Sequence, residues 1–166
     1  MITIRTARAE DLDELTEVFR SASLSNDGDR ENLLAHPEFL ELSDQAIVEQ
    51  RVRLAEIDGR TVGFATSARD GPTVELEDLF VHPDWTRRGV ATRLIADLVE
   101  LSRAAGASTV AVTANHHAMA FYLSVGFRGS APVETEFEPG TRMYLRLSLA
   151  SFGDAPSRNP HPGRGA

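Results

Sequence analysis

The chain contains no cysteine and no lysine. The first absence excludes disulfides, thiolate metal sites and cysteine nucleophiles. The second excludes Schiff-base chemistry on the chain and any Walker-type phosphate lysine. All 17 basic residues are therefore arginine, and they are outnumbered by 25 acidic ones, for a net charge of −8. A surface of that sign repels a polyanionic backbone, which argues against nucleic acid as a partner and mildly favours a cationic acceptor such as an amine. No apolar run approaches the ~20 residues of a membrane helix. The opening Met1-Ile2-Thr3-Ile4-Arg5 alternates at once, without a signal-peptide layout, so the expectation is a cytoplasmic protein that does not enter a membrane.

What is present suits one domain. A chain of 166 residues with 42% hydrophobic composition supports a single sizeable core. We place the domain at residues 1–150, followed by a flexible tail over 151–166, which holds three of the eight prolines and little apolar material. Ile2 and Ile4 alternate as in a strand. Asp11 and Glu14 have the spacing of a capping box ahead of a helix through Leu12, Leu15, Val18, Phe19 and Ala22. Residues 30–50 read as helical again, split in two by Pro37. Strands over 52–57 and 61–68 flank Asp58-Gly59, a hairpin turn signal. A further strand over 73–81 ends at His82-Pro83. Ala91, Leu94, Ile95, Leu98 and Leu101 form one helical stripe, closed by Gly106. A short strand over 109–113, a helix over 115–125 and two strands over 127–135 and 141–149 complete the order β-α-α-β-β-β-α-β-α-β-β. Strands and helices mixed in this way predict an α/β or α+β sheet with helices on both faces.

The most informative stretch is Val81-His82-Pro83-Asp84-Trp85-Thr86-Arg87-Arg88-Gly89-Val90-Ala91-Thr92. A strand ends, a short loop carries two arginines and a glycine, and an amphipathic helix begins. The first N–H groups of a helix have no internal partner and sit at the positive end of its dipole, so this point suits a phosphate. Gly89 permits close backbone approach, Ala91 keeps the first turn narrow, and Arg87 and Arg88 can pair with phosphate oxygens. Taken alone, the same features describe an ordinary turn with solvated arginines. The six residues Thr86-Arg87-Arg88-Gly89-Val90-Ala91 also resemble the pyrophosphate motif Gln/Arg-x-x-Gly-x-Gly/Ala of the GNAT N-acetyltransferase superfamily. Gly89 and Ala91 match it; Thr86 departs from it. Downstream, Asn115-His116-His117-Ala118-Met119-Ala120-Phe121-Tyr122-Leu123-Ser124-Val125-Gly126-Phe127 matches every named position of that family's Asn-x-x-Ala-x-x-x-Tyr-x-x-x-Gly-Phe signature.

The resemblance implies a central, mostly antiparallel mixed sheet of about seven strands, splayed between strands 4 and 5. It implies acetyl-CoA as co-substrate, no metal, and transfer of the acetyl group to an amine. It implies that Leu79, Phe80 and Val81 bond the cofactor's pantetheine through their backbone. The pyrophosphate then meets Arg87, Arg88, Gly89, Val90, Ala91 and Thr92, and Asn115 either caps its helix or bonds the pantetheine arm. Tyr122 is expected to protonate the departing thiolate, a task a phenol of pKa ≈ 10 can perform, or only to pack the cofactor.

The incoming ammonium must lose a proton, and Glu75 and Glu77, on one face by strand parity, are candidate bases or solvated carboxylates. Parity puts Asp78 on the opposite face, provided no bulge interrupts the strand. Phe39, Leu40 and Phe137 are candidate acceptor contacts. Glu134, Glu136 and Glu138 line one strand face, either to attract a cation or as an exposed polar edge. His116 and His117, adjacent on a helix, point ~100° apart and form no metal site. His82 is read as structural. A non-catalytic acyl-CoA-binding module is the alternative function, and a homodimer is the commonest assembly.

Overall fold

The computed structural model describes residues 1–25, 27–135 and 139–148. The expected tail at 151–166 and the candidates Glu136, Phe137 and Glu138 lie outside the described residues. Seven strands, β1 (Thr3–Thr6), β2 (Val52–Ile57), β3 (Arg60–Asp70), β4 (Thr73–Val81), β5 (Thr109–Ala114), β6 (Arg128–Val133) and β7 (Gly140–Arg146), form one sheet in the order β1-β2-β3-β4-β5-β7-β6. All neighbours are antiparallel except β4 and β5. The β2–β3 turn forms where expected, with Asp58 and Gly59 both at positive φ (51° and 75°), as a two-residue hairpin turn of matching twist requires.

Two helical layers cover the sheet. On one face α1 (Leu12–Leu24) packs Leu15 and Val18 against Val52, Leu54 and Phe64, joined by Ile47 of α3 (Gln45–Val48). On the other, α4 (Val90–Ala104) and α5 (Met119–Ser124) pack Val90, Leu94, Ile95, Leu98 and Tyr122 on Val62, Ala65, Leu76, Val110, Val112 and Met143. No helix among the described residues is long and apolar enough to cross a membrane. Gly63 of β3 lies directly beneath α4, where a Cβ would come within 2.9 Å of both the Phe80 carbonyl and Val90 Cγ1. The missing side chain lets the first turn of α4 rest on the sheet.

Three local expectations change. The 30–50 region forms three pieces rather than two: α2 (Asp27–Ala35), a 3-10 turn at Pro37–Leu40 and α3. The 115–125 helix is shorter, because the Asn115 side chain accepts the Ala118 N–H (2.9 Å) and holds a turn ahead of α5. Asp11 and Glu14 do not form a capping box with each other. The Asp11 carboxylate accepts the Arg8 N–H (2.7 Å) and both terminal nitrogens of Arg5 (2.8 Å each), while Glu14 accepts the Thr61 hydroxyl. Arg5 reaches on to Glu56 across the β1–β2 pair, so one guanidinium ties the first strand to the turn that launches α1.

Asp11 is 7% exposed, and its hydrogen bonds to Arg5 hold its carboxyl below the usual carboxylate range. Its contribution to stability is therefore complete above the ordinary carboxylate pKa and lost only as pH falls through the depressed value. Asp11→Ala is expected to lower the unfolding free energy by about 2 kcal/mol at neutral pH, read by urea denaturation. The difference from the parent chain should disappear in strong acid.

Candidate functional site

The site begins with a parallel pair that stops early. β4 and β5 are in register only from Thr73↔Thr109 to Leu76↔Val112, although β4 continues to Val81 and β5 to Ala114. The cause lies in the next residue. β3 pairs Ser67 with Leu76 but Thr66 with Asp78, so Glu77 is an extra residue, a β-bulge that bends β4 away from β5. Beyond it, the β5-facing backbone edge of Leu79, Phe80 and Val81 has no strand partner among the described residues, and a slot opens between the strands.

On the α4 side the slot leads to the arginine loop. Val81, Trp85, Thr86, Arg87, Gly89, Val90, Ala91, Thr92 and Phe121 line a cavity of about 400 Å³. Arg87 and Gly89 are both left-handed (φ 62° and 79°), and no side chain caps α4. Two left-handed residues flanking Arg88 at a helix start that no described side chain caps suit the binding of an anion by backbone N–H groups. A Cβ on Gly89 would meet nothing within 4 Å of the chain, so glycine is required there by its φ. The guanidinium of Arg88 lies over the Trp85 ring, 4.8 Å from its centre. Thr86, the departure from the motif, bonds the Pro83 carbonyl through its hydroxyl (3.1 Å) and closes the preceding turn.

Tyr122 of α5 is buried in the core, 6% exposed, with its ring edge-on to Phe121 and Phe127. Its hydroxyl makes no hydrogen bond with any described residue. Burial, with a contribution from the negative charge of Asp78, pushes its pKa up to about 12. The phenol is therefore a proton donor throughout the neutral range.

The bulge also overturns the parity argument for the carboxylates. Val74 and Leu76 face α4, and so do Leu79 and Val81 beyond the extra residue. Asp78 and Phe80, opposite Thr66 and Phe64, consequently face α1, on the same side as Glu75. Glu75 is gripped by both terminal nitrogens of Arg142, one at 2.6 Å. Glu77 is exposed and bonds Arg51 (2.9 Å). Asp78 has no ion-pair partner among the described residues. Burial raises its pKa, opposed by the Thr66 hydroxyl and supported by the neighbouring Glu77 charge.

On the α1 side, a cavity of about 300 Å³ is bounded by Phe19, Asp29, Leu33, Phe39 and Phe80 and reaches Thr113 and Asn115 at the end of β5. Phe80 and Asn115 therefore border this cavity, Val81 and the loop border the other, and Leu79 packs into the core between them. Leu40 is buried and lines neither. Sequence reasoning missed Trp85 and Phe121 as walls of the loop cavity; Phe121, beside Tyr122 on a short helix, was the available signal. His116 and His117 sit in the turn before α5, where their rings stack 3.8 Å apart. The 100° argument does not apply in a turn, yet no group of three or more His, Asp or Glu among the described residues is placed to hold a metal. His82 accepts the Asp84 N–H, a local structural bond.

A profile of the acetyltransferase (GNAT) family matches residues 12–127. The chain is similar to the glucosamine 6-phosphate N-acetyltransferase of Trypanosoma brucei brucei, 35% identical over 77 residues, 42% of this chain and 52% of that protein. It spans about half the length of the curated relatives it matches. The fold is that of the PaiA N-acetyltransferase of Thermoplasma acidophilum, solved in complex with coenzyme A (TM-score 0.69, 18% identity, 88% of this chain and 99% of that one). It is equally that of the ribosomal-protein-S18-alanine N-acetyltransferase of Escherichia coli (TM-score 0.70, 21% identity, 93% and 98%).

Because the Tyr122 hydroxyl is unbonded to described residues, and none of their buried side-chain oxygens or nitrogens lacks a partner, the hydroxyl reaches solvent and its removal should cost little. Tyr122→Phe is expected to unfold within about 0.5 kcal/mol of the parent chain. An ultraviolet titration of the two tyrosines should show one ionising near pH 12, and the substitution should abolish that step.

Proposed function

The chain belongs to the acetyltransferase (GNAT) family, and on that premise we propose that it transfers the acetyl group of acetyl-CoA directly to a primary amine of a small-molecule acceptor. The observation that carries this reading is the slot beyond Leu76 and Val112, with an anion-receiving loop on one side and an apolar cavity on the other. As co-substrate, acetyl-CoA would supply a thioester carbonyl for the amine to attack and a thiolate to leave.

The chain's own groups suit each requirement. N–H groups at Arg88 to Thr92, with the Arg87 and Arg88 guanidiniums, would hold the pyrophosphate. The free β4 edge at Leu79, Phe80 and Val81 would bond the amides of the pantetheine arm as a neighbouring strand does. A backbone N–H of Leu79 or Phe80 would donate to the acetyl oxygen as it gains charge. Asn115 spends its side-chain oxygen on the Ala118 N–H, which leaves its amide N–H₂ to face the acceptor cavity. Tyr122 Oη would give its proton to the sulfur. Asp78, rather than Glu75 or Glu77, is assigned to take the proton from the ammonium. Both Glu75 oxygens are engaged by Arg142, Glu77 is drawn to Arg51, and Asp78 alone of the three keeps an unpaired carboxylate with an elevated pKa.

Acetyl-CoA is expected to raise the melting temperature, as any ligand of the native state does, and CoA should be released when an amine panel is added. Cofactor binding without release on any amine would replace this reading with that of an acyl-CoA-binding module.

Tyr122→Phe should lower kcat about tenfold or more while changing acetyl-CoA affinity less than threefold. For Asp78, activity requires the deprotonated form, so kcat/KM should rise with pH through a pKa above the ordinary aspartate value. Asp78→Asn should remove that limb and lower kcat/KM by about 10²-fold. A profile unchanged by the substitution would return the base role to Glu75, Glu77 or water.

A further inference from the structure

The carboxylates of this chain sort sharply by partner. Among the described residues, those that are buried or half-buried are Asp11, Asp29, Glu56, Glu75, Asp78 and Asp97. Asp11 and Glu56 pair with Arg5, Glu75 with Arg142, and Asp97 with Arg53. Of these, Asp29 and Asp78 alone have no ion-pair partner among the described residues. Withdrawing a carboxylate from water without a partner is costly, so a half-buried pair of this kind marks a place where positive charge is received.

Both residues face the α1 side of the sheet. Asp29, on α2, lines the 300 Å³ cavity with Phe19, Leu33, Phe39 and Phe80. Asp78 lines an adjoining cavity of about 280 Å³, and Phe19 is a wall of both. Phe80 follows Asp78 by two residues on the same strand face, and its ring meets Phe19 edge-on at 5.1 Å. The ground between the two carboxylates is therefore made of phenyl rings. No arginine or histidine is among the residues lining the Asp29 cavity. In the Asp78 cavity the one arginine, Arg51, is already paired with Glu49 and Glu77. Among the described residues, a carboxylate or phosphate on the acceptor would find no unengaged guanidinium there.

We propose that the acceptor is an unbranched aliphatic diamine, with its reacting nitrogen at Asp78, its methylene chain over Phe19 and Phe80, and its second ammonium on Asp29. This assignment rests on the acetyl-transfer reading for the reaction itself. The ammonium first gives one proton to Asp78; the neutral nitrogen then forms an N–C bond as the C–S bond breaks, the sulfur takes a proton from Tyr122, and the second proton shed by nitrogen restores the Tyr122 phenol. The products are a monoacetylated diamine and CoA. Asp29 touches no reacting atom; it selects the acceptor.

The test compares cadaverine, n-pentylamine and the ω-amino acid of the same chain length, by CoA release in the full chain. Cadaverine should exceed pentylamine in kcat/KM by about tenfold, as expected for one charge-assisted contact at a half-buried site, and the amino acid should be poorest. Asp29→Asn should bring the cadaverine-to-pentylamine ratio close to one, and Asp29→Glu should restore most of it. A ratio unaffected by Asp29→Asn, or an amino acid as good as the diamine, overturns the proposal. Calorimetric titration of cadaverine into the CoA-bound protein separates the two readings. Binding that depends on Asp29 without any CoA release upholds diamine recognition and overturns acetyl transfer. Release with monoamines and no cadaverine preference does the reverse, and cadaverine that neither binds nor reacts overturns the diamine assignment.

Discussion

Everything at the candidate site depends on two parallel strands that cannot stay together. Four residue pairs join β4 to β5, and the bulge at Glu77 then turns β4 aside. A sheet normally satisfies both edges of an interior strand. Here the β5-facing backbone of Leu79 to Val81 is left open among the described residues, with the arginine loop on one side and a phenyl-walled cavity on the other. Binding a strand-like ligand arm would repair the missing ladder.

The absence of lysine gives the polar architecture its character. A guanidinium is planar and presents a fork of donors, so it pins a carboxylate in a defined orientation where an ammonium acts as a point charge. Arg5 joins β1, β2 and the turn before α1. Arg53 fixes β2 to Asp97 of α4, and Arg142 crosses from β7 to Glu75, spanning the last stretch before the strands part. These clamps hold the frame rigid around the slot. They also consume the acids they touch, which is why Asp78 stands out chemically although the sequence offered Glu75 and Glu77 first.

Much of the frame was legible in advance because its signals are local. The Asp58-Gly59 hairpin and the stripe of α4 each follow from a few neighbouring residues, and the two motifs pointed to the loop and to Tyr122. What escaped reading was non-local. Whether β4 carries a bulge depends on its register with β3, so strand parity assigned Asp78 to the wrong face. That Asp11 answers Arg5, whose guanidinium also reaches Glu56 of β2, rather than Glu14 depends on which partner the fold brings close. Trp85 and Phe121 are ordinary aromatics until the loop and α5 meet around one cavity.

The bulge also makes the site sensitive to chain length in a way that composition does not reveal. A strand has two phases, and Glu77 is the residue at which β4 changes from one to the other. Its side chain is exposed and its own contact modest, so many residue types could occupy position 77 without moving the slot. Its deletion would restore uninterrupted pairing with β3 and leave Leu79 and Val81 toward α4 and Asp78 and Phe80 toward α1; what would go is the bend, and with it the parting from β5 that opens the slot. For this strand a substitution is a small event and the loss of a single codon a large one. Position 77 serves as a spacer, counted rather than read.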